Sequence, residues 1–321
     1  MTAAQRRSED VVIRPLAAGD LDAADHVVRT AFGTFLGAPE PAAVFGDMQH
    51  ARPRYAAGPD WAFVAERDRE VVGSVFATRW GTFGFFGPLS VRPDLWDAGI
   101  ASRLMVPVVD LFEQWDVALA GLFTFAQSPK HIGLYQKFGF WPRELTAVMG
   151  RELDPGSSAH GSTRTLGELG ESERAAAIDA AREITGAIFE GLDLEHEIRA
   201  VIEQALGDVV VLEDGEGLAA FAVCHADAGE AGSGVCYVKF GAVRPGPAAG
   251  ADFEELLGAC ERFAASRGVG RVVAGVSTAR HDAYRRLLAR GYRTALTGVR
   301  MHRPNLPGYS REDVYVIDDL R

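Results

Sequence analysis

The loop Trp96-Asp97-Ala98-Gly99-Ile100-Ala101 has the residue types that a phosphate-binding site needs. Gly99 and Ala101 have small side chains or none, so backbone N–H groups can approach an anion closely, and the N-terminus of a following helix adds a favourable potential. The same pattern also begins many ordinary helices. The residues alone therefore leave two interpretations open, a phosphate loop and a plain helix start.

Other catalytic patterns are missing from the sequence. It contains no Walker loop and no Gly-x-Ser-x-Gly nucleophile elbow, and His196-Glu197 lacks the second histidine of a zinc protease helix. Gly215-Glu216-Gly217 is typical of a hairpin turn rather than of a dinucleotide-binding loop. We expect no metal site and reduced, packed thiols, because the spacing of the three cysteines suits neither zinc nor a disulfide framework: Cys224, Cys236 and Cys260.

Composition and charge favour a globular protein and argue against nucleic-acid-binding and membrane proteins. The chain has 321 residues, of which 47% are hydrophobic and 24% charged, as is typical of a globular protein with two domains. Its net charge of -11 argues against unspecific nucleic-acid binding, which needs basic patches. The chain starts with polar residues, and no uncharged run has the roughly 20 residues of a membrane helix. We therefore expect a cytoplasmic protein without a signal peptide or membrane anchor.

Strands and helices alternate in the first half of the predicted structure. A strand near Val12 precedes a helix that Asp20 is expected to cap and that runs to about Phe32. A hairpin is predicted over 62–78, and further strands over 83–91 and 117–125.

Two helices complete the first half. One carries an apolar stripe and a proline, Pro107, that is expected to kink it. The stripe is formed by Leu104, Val108, Leu111, Phe112 and Trp115. Ser128 and Gly139 are expected to enclose a second, short helix as its N-cap and C′ residue.

Three local patterns recur 152 positions later in the chain. They are Val91-Arg92-Pro93 with Val243-Arg244-Pro245, Gly139-Phe140 with Gly291-Tyr292, and Met149 with Met301. A constant offset is typical of tandem copies. We therefore predict domains at 1–152 and 164–303, a Pro-, Gly- and Ser-rich linker at 153–163, and a tail at 304–321 with a short strand at 314–317.

The second copy is expected to repeat the order of elements in the first. Two helices come first, followed by two hairpin strands, a third strand, a helix, a strand near Val272 and a last helix before Gly291. The predicted ranges are 171–188 and 194–206 for the first two helices, and 209–212, 218–224 and 235–243 for the strands.

The segment from Gly87 to Arg143 resembles the GNAT N-acetyltransferases. In that family a strand leads into a loop of the form Gln/Arg-x-x-Gly-x-Gly/Ala that opens a helix, and Trp96 to Ala101 stands at that place. Leu134-Tyr135-Gln136-Lys137-Phe138-Gly139-Phe140 matches the family's Tyr-x-x-x-Gly-Phe signature. The resemblance covers residues 10 to 150. It implies an α/β (α+β) fold of two tandem domains, each with a mixed, mostly antiparallel twisted sheet flanked by helices.

The resemblance implies acetyl-CoA as the acyl donor and Tyr135 as the general acid. A phenol with a pKa near 10 stays protonated at neutral pH, while a departing thiolate has a conjugate-acid pKa of about 8.5. The alternative is that Tyr135 is only an apolar member of its helix. Backbone N–H groups at Leu89, Ser90 and Val91 would bind the pantetheine arm and polarise the acetyl carbonyl. The expected phosphate-binding residues are Trp96, Asp97, Ala98, Gly99, Ile100, Ala101 and Ser102.

The general base has no clear candidate in the sequence. Many relatives place a glutamate on the strand that corresponds to 83–91, and here this strand has no carboxylate. A water chain, a backbone carbonyl or His131, one helical turn before Tyr135, would have to serve; otherwise His131 is a capping or core-edge residue. Ser128 stands where relatives often have an asparagine that holds the cofactor or caps the helix.

The second copy departs from the family pattern. Its loop from Arg244 to Asp252 contains two prolines, which remove amide donors, and places the acidic Asp252 where an anion would bind. Leu287 matches Tyr135. We therefore expect the first copy to be catalytic and the second to be structural or substrate-shaping.

The predicted function is acetyl transfer to a primary amine by direct attack in a ternary complex. The acceptor would be a small molecule or a protein or peptide amine, and a homodimer is possible. The acceptor pocket is expected over about 31–55, with Phe32, Phe35, Phe45, Met48 and Tyr55 as candidate lining residues. The alternatives are a non-catalytic or regulatory module that binds acetyl-CoA, and a structural tandem protein that binds no CoA.

Overall fold

The computed structural model describes residues 10–153 and 163–321. Almost all of the predicted linker, residues 154–162, and the polar start of the chain at 1–9 lie outside the described residues. The elements below belong to the two described ranges.

Strands and helices alternate in the first half as expected. The strands are β1 (Val12–Pro15), β2 (Ala62–Arg67), β3 (Glu70–Trp80), β4 (Phe83–Val91), β5 (Leu119–Thr124) and β6 (Trp141–Glu152). The helices are α1 (Leu21–Phe35), α2 (Ala51–Ala57), α3 (Ile100–Gln114), which contains Pro107, and α4 (Pro129–Gln136). The sequence did not indicate α2 or β6.

Local sequence signals explain several of these boundaries. The β2–β3 hairpin turns at Asp68 and Arg69, which have φ values of 52° and 66° as a type I′ turn requires. Ser128 caps α4, with its Oγ accepting a hydrogen bond from the backbone N–H of His131 at 3.4 Å. Asp20 precedes α1, but its carboxylate binds Arg14 and the N–H of Ala17 instead of a helix amide. The expected capping role of Asp20 for α1 is therefore wrong.

The second half repeats this order. Its strands are β7 (Gly207–Asp214), β8 (Gly217–Ala226), β9 (Val235–Val243), β10 (Arg271–Ser277), β11 (Arg293–Arg303) and β12 (Val316–Ile317). Its helices are α5 (Glu171–Ile188), α6 (Glu195–Glu203), α7 (Ala249–Ser266) and α8 (His281–Ala289). The offset of 152 relates β4 to β9 at both ends, and Gly139 and Gly291 both have left-handed backbones, with φ of 80° and 100°.

The described strands form one mixed sheet instead of two separate ones. Its order is β1-β2-β3-β4-β5-β11-β6-β10-β9-β8-β7, with β12 paired to β9. Only β4–β5 and β9–β10 are parallel pairs among the described strands. One strand of each half crosses over: β11 pairs with β5 of the first half, and β6 pairs with β10 of the second. The mostly antiparallel sheet was predicted, but this exchange was not.

The exchange also joins the hydrophobic cores. Met301 on β11 is buried in the first half among Leu104 and Phe112 of α3, whereas Met149 on β6 is buried in the second half among Phe253 and Leu257 of α7. The Met149/Met301 repeat in the sequence therefore marks two side chains that each complete the other half's core. All three cysteines are buried and unbridged, and Cys224 Sγ lies 3.8 Å from Cys260 Sγ.

Among the helices of the two described ranges, none combines the length and the apolar character that a membrane-spanning helix needs.

Candidate active site

The candidate site is a cleft between two parallel strands that separate. β4 and β5 pair over three residues each, Phe83–Phe85 of β4 with Leu119–Gly121 of β5. Beyond that point Leu89, Ser90 and Val91 remain paired to β3 on one edge. Their other edge faces a cavity of about 990 Å³, which is large enough for an extended ligand.

The predicted phosphate loop lies at the mouth of this cavity. Gly99 has φ of 81°, a left-handed conformation that glycine adopts without steric cost, and it directly precedes α3 as its N-cap residue. The first backbone N–H groups of α3 have no partner within the helix, so they can donate to an anion. The indole Nε1 of Trp96 donates to the Val91 carbonyl at 2.7 Å. This bond ties the loop to the end of β4, and Trp96 thus has a contact that the sequence did not indicate.

Most of the predicted site residues line the cavity. They are Leu89, Ser90, Val91, Trp96, Asp97, Gly99, Ile100, Ala101, Ser102, His131 and Tyr135. Two of the predicted residues are not among the cavity-lining ones. Ala98 packs in the core beneath the loop, and Ser128 is buried as the cap of α4.

Tyr135 places a buried phenol on the wall of the cavity. Its side chain is only 8% exposed and packs edge-to-face on Phe86, with ring centroids 5.6 Å apart. Burial raises its pKa to about 12, and a hydrogen bond with the Thr124 side chain opposes the rise. The phenol therefore keeps its proton at neutral pH. Its counterpart in the second half, Leu287, is fully buried in the core of that half.

Aromatic side chains form the wall next to His131. Its ring lies 4.8 Å from that of Phe35 and 6.2 Å from that of Phe125. Burial, followed by the charge of Lys130, lowers the pKa of His131 below its ordinary value, so the imidazole is neutral at pH 7. Of the five residues that the sequence analysis names as candidates for an acceptor pocket, Phe32, Phe35, Phe45 and Met48 line this cavity. Tyr55 packs instead against the core beneath α1.

Charged and titratable residues to which the sequence analysis gave no role also line the cavity. His50 is one of them; burial lowers its pKa to about 4, and its Nδ1 has no hydrogen-bond partner among the described residues. Arg54 and, from the second half, Glu230 and Tyr237 lie beside it. No local pattern could have found these residues, because Arg54 and Glu230 are 176 positions apart.

Buried histidines make the stability of the fold depend on pH. Burial lowers the pKa of His50 and of His225 from the ordinary 6.5 to about 4, and that of His302 to about 3. Between these values the unfolded chain binds protons that the folded chain does not. We expect the free energy of unfolding to be highest above pH 6.5 and to fall as the pH drops towards 4. Urea unfolding followed by circular dichroism would measure this change.

A pair of histidine variants tests this pH dependence. His225→Gln should make the free energy of unfolding depend less on pH between about 4 and 6.5. His26→Gln, at an exposed position, should leave that dependence unchanged. Equal free energies of unfolding at about pH 7 and about pH 4.5 would contradict the assignment.

The matching cleft of the second half is filled by the chain itself. Gly241, Ala242 and Val243 lie 152 positions after Leu89, Ser90 and Val91. Strand β12 pairs with Gly241 and Ala242, and the N–H of Val243 donates to the carbonyl of Tyr315 at 3.2 Å. The backbone edge that is open in the first half is therefore occupied in the second.

A buried ion pair fixes β12 in this cleft. Arg280, 152 positions after Ser128, is fully buried and donates from Nη1 to the Val316 carbonyl at 2.9 Å and to Asp318 Oδ1 at 3.0 Å. Arg300 binds the same carboxylate. Burial alone would raise the pKa of Asp318, but the charges of Arg280 and Arg300 outweigh it and hold the pKa well below its ordinary value.

Comparisons with known proteins agree with this geometry. The model of the acetyltransferase (GNAT) family matches residues 30–140, which span α1 to α4. A candidate acetyltransferase from Pyrococcus horikoshii superposes with a TM-score of 0.67 at 15% identity, over 97% of this chain and 95% of its own. A GCN5-related N-acetyltransferase from Sphaerobacter thermophilus gives 0.59 at 17% identity, over 92% and 95%. At these identities the likeness concerns the fold. No curated protein matches the sequence.

Proposed function

Because the chain belongs to the acetyltransferase (GNAT) family through residues 30–140 and is thus an acyltransferase, we propose that it transfers the acetyl group of acetyl-CoA to a primary amine. The observation that carries the proposal is the cleft between β4 and β5. One cavity there joins a left-handed glycine at a helix N-terminus, an open strand edge and a buried, protonated phenol.

The residues of this cleft fit an acyl-CoA. The N–H groups at the start of α3 and the small Gly99 and Ala101 suit a pyrophosphate. The open edge of β4 at Leu89–Val91 suits an extended arm that carries amides, because it offers backbone donors and acceptors along its length. The apolar walls of the cavity exclude water from the thioester.

Different groups of the chain assist different steps of the acetyl transfer. Acetyl-CoA supplies the activated acetyl group; the amine nitrogen forms the new bond to the acetyl carbon while the carbon–sulfur bond breaks. Backbone N–H groups of β4 near Leu89 polarise the carbonyl, and Tyr135 gives its proton to the leaving sulfur. His131 and His50 are neutral groups on the cavity wall that can accept the amine's proton.

In this proposal the second domain, 164–303, and the tail, 304–321, support the fold and help to shape the substrate site. The catalytic domain is the first, 1–152. Strand β12 takes the place that an acyl-CoA arm would need in the second cleft, so we expect one acetyl-CoA molecule per chain.

A thiol-release assay with acetyl-CoA and a panel of amines tests the proposal, with calorimetry to count bound acetyl-CoA. We expect release of free CoA with at least one small or peptide amine and a stoichiometry of one. Saturable binding without release against any amine would favour a regulatory binding module. The absence of binding would leave a structural protein.

A further inference from the structure

One loop of the second half holds the acceptor side of the candidate active site in place. This loop, residues 227–234 between β8 and β9, is called the bridging loop below. The Gly229 carbonyl accepts a hydrogen bond from the N–H of Gln49 at 2.8 Å, and the N–H of Ser233 donates to Asp47 Oδ1 at 3.0 Å. The segment that leads to His50 is therefore fixed by the other half of the chain.

The centre of this contact is a buried ion pair. Glu230 of the bridging loop accepts from Arg54 Nε at 2.9 Å and from Arg54 Nη2 at 3.1 Å, and the two side chains are 3% and 4% exposed. Lys239 Nζ lies 3.2 Å from the same carboxylate. Burial alone would raise the pKa of Glu230, but the charges of Arg54 and Lys239 outweigh it, so the carboxylate stays ionised.

Arg54 carries this contact to the strand that forms the cleft. While two of its nitrogens bind Glu230, its Nη1 donates to the carbonyl of Gly87 on β4. A guanidinium is planar and rigid, so fixing Nε and Nη2 also fixes the direction of Nη1. Gly87 lies two residues before Leu89, where the open edge of β4 begins.

We propose that Glu230 is a positioning residue for acetyl transfer: it orients Arg54, which holds the Gly87 carbonyl and so sets the backbone at Leu89–Val91. This inference rests on the proposed function. It gives the second half a part in catalysis although Glu230 does not touch the reacting atoms. A small displacement of the backbone that polarises the carbonyl reduces the rate strongly, while the pyrophosphate loop at Gly99 is a separate contact.

The test compares Glu230→Gln with Glu197→Gln. Both are buried carboxylates that pair with Lys239, at 3.2 Å and 2.9 Å, but only Glu230 binds Arg54. We expect Glu230→Gln to lower kcat about tenfold or more, with KM and Kd for acetyl-CoA nearly unchanged. Glu197→Gln should leave kcat near that of the unmodified chain, although both variants lower the melting temperature.

A second variant, Arg54→Lys, tests the same inference if Glu230→Gln does not fold. Arg54→Lys keeps the charge beside Glu230 but lacks the fork that reaches Gly87, so it should lower kcat in the same way. If folded Glu230→Gln and Arg54→Lys both had the same kcat as Glu197→Gln, the role of Glu230 would be disproved, and the proposed function would stand. An unmodified chain without turnover on any amine would instead overturn the proposed function, and the inference with it.

Discussion

Replacing Tyr135 with phenylalanine is expected to lower kcat about 100-fold or more, which is the range that a positioned general acid contributes. The change removes one oxygen and keeps the ring that packs on Phe86. Affinity for acetyl-CoA should remain, because the loop at Gly99 and the edge of β4 are unaltered. Steady-state kinetics of thiol release, with calorimetry for binding, would measure both quantities.

Tyr284→Phe is the matched control for this variant. Tyr284 lies on α8, which corresponds to α4, and packs against the core of the second half. Its replacement should leave kcat unchanged. If Tyr135→Phe retained the turnover of the unmodified chain, Tyr135 would be a core residue of its helix and not the acid.

Asp318→Asn is expected to reduce the free energy of unfolding by about 3 to 5 kcal/mol, because removing one partner of a buried ion pair leaves the other charges uncompensated. Arg280 and Arg300 are 0% and 1% exposed and share this one carboxylate. Chemical unfolding followed by circular dichroism would measure the loss. Asp313→Asn is the control, since its pair with Arg311 is largely exposed and should change the free energy of unfolding by about 1 kcal/mol at most.

A double variant separates charge from shape in this cluster. Adding Arg300→Met to Asp318→Asn removes one of the two unpaired charges and should recover part of the lost stability. An Asp318→Asn variant as stable as the unmodified chain would show that β12 is held by its backbone pairing alone.

Much of the fold could be predicted because local signals and the repeat agree. The apolar stripe predicted α3, two apolar runs joined by a charged turn predicted β2 and β3, and Ser128 with Pro129 marked the start of α4. The constant offset then transferred these assignments to the second half. Strand β6 was missed because its first part, Trp141 to Leu145, mixes apolar with charged residues, is partly exposed and lacks a clear alternation.

The candidate site could be predicted only where a few neighbouring residues carry the chemistry. The loop at Gly99 and the segment around Tyr135 are short patterns, and the structure brings both to one cavity. His50, Arg54 and Glu230 meet only after distant segments have folded together. Their residue types alone gave no sign of that meeting.

The exchange of β6 and β11 makes the molecule equivalent to an intertwined dimer whose two chains have been fused into one. Each half contributes one strand to the part of the sheet formed by the other, so neither half alone can cover its strand edges. Sequence-distant strands must meet before either core is complete, which favours slow folding and a single cooperative unfolding transition for both halves. Such interlocking also gives the second half a role that does not depend on its own cleft: without β11, the edge of β5 and the core around Leu104 would be exposed.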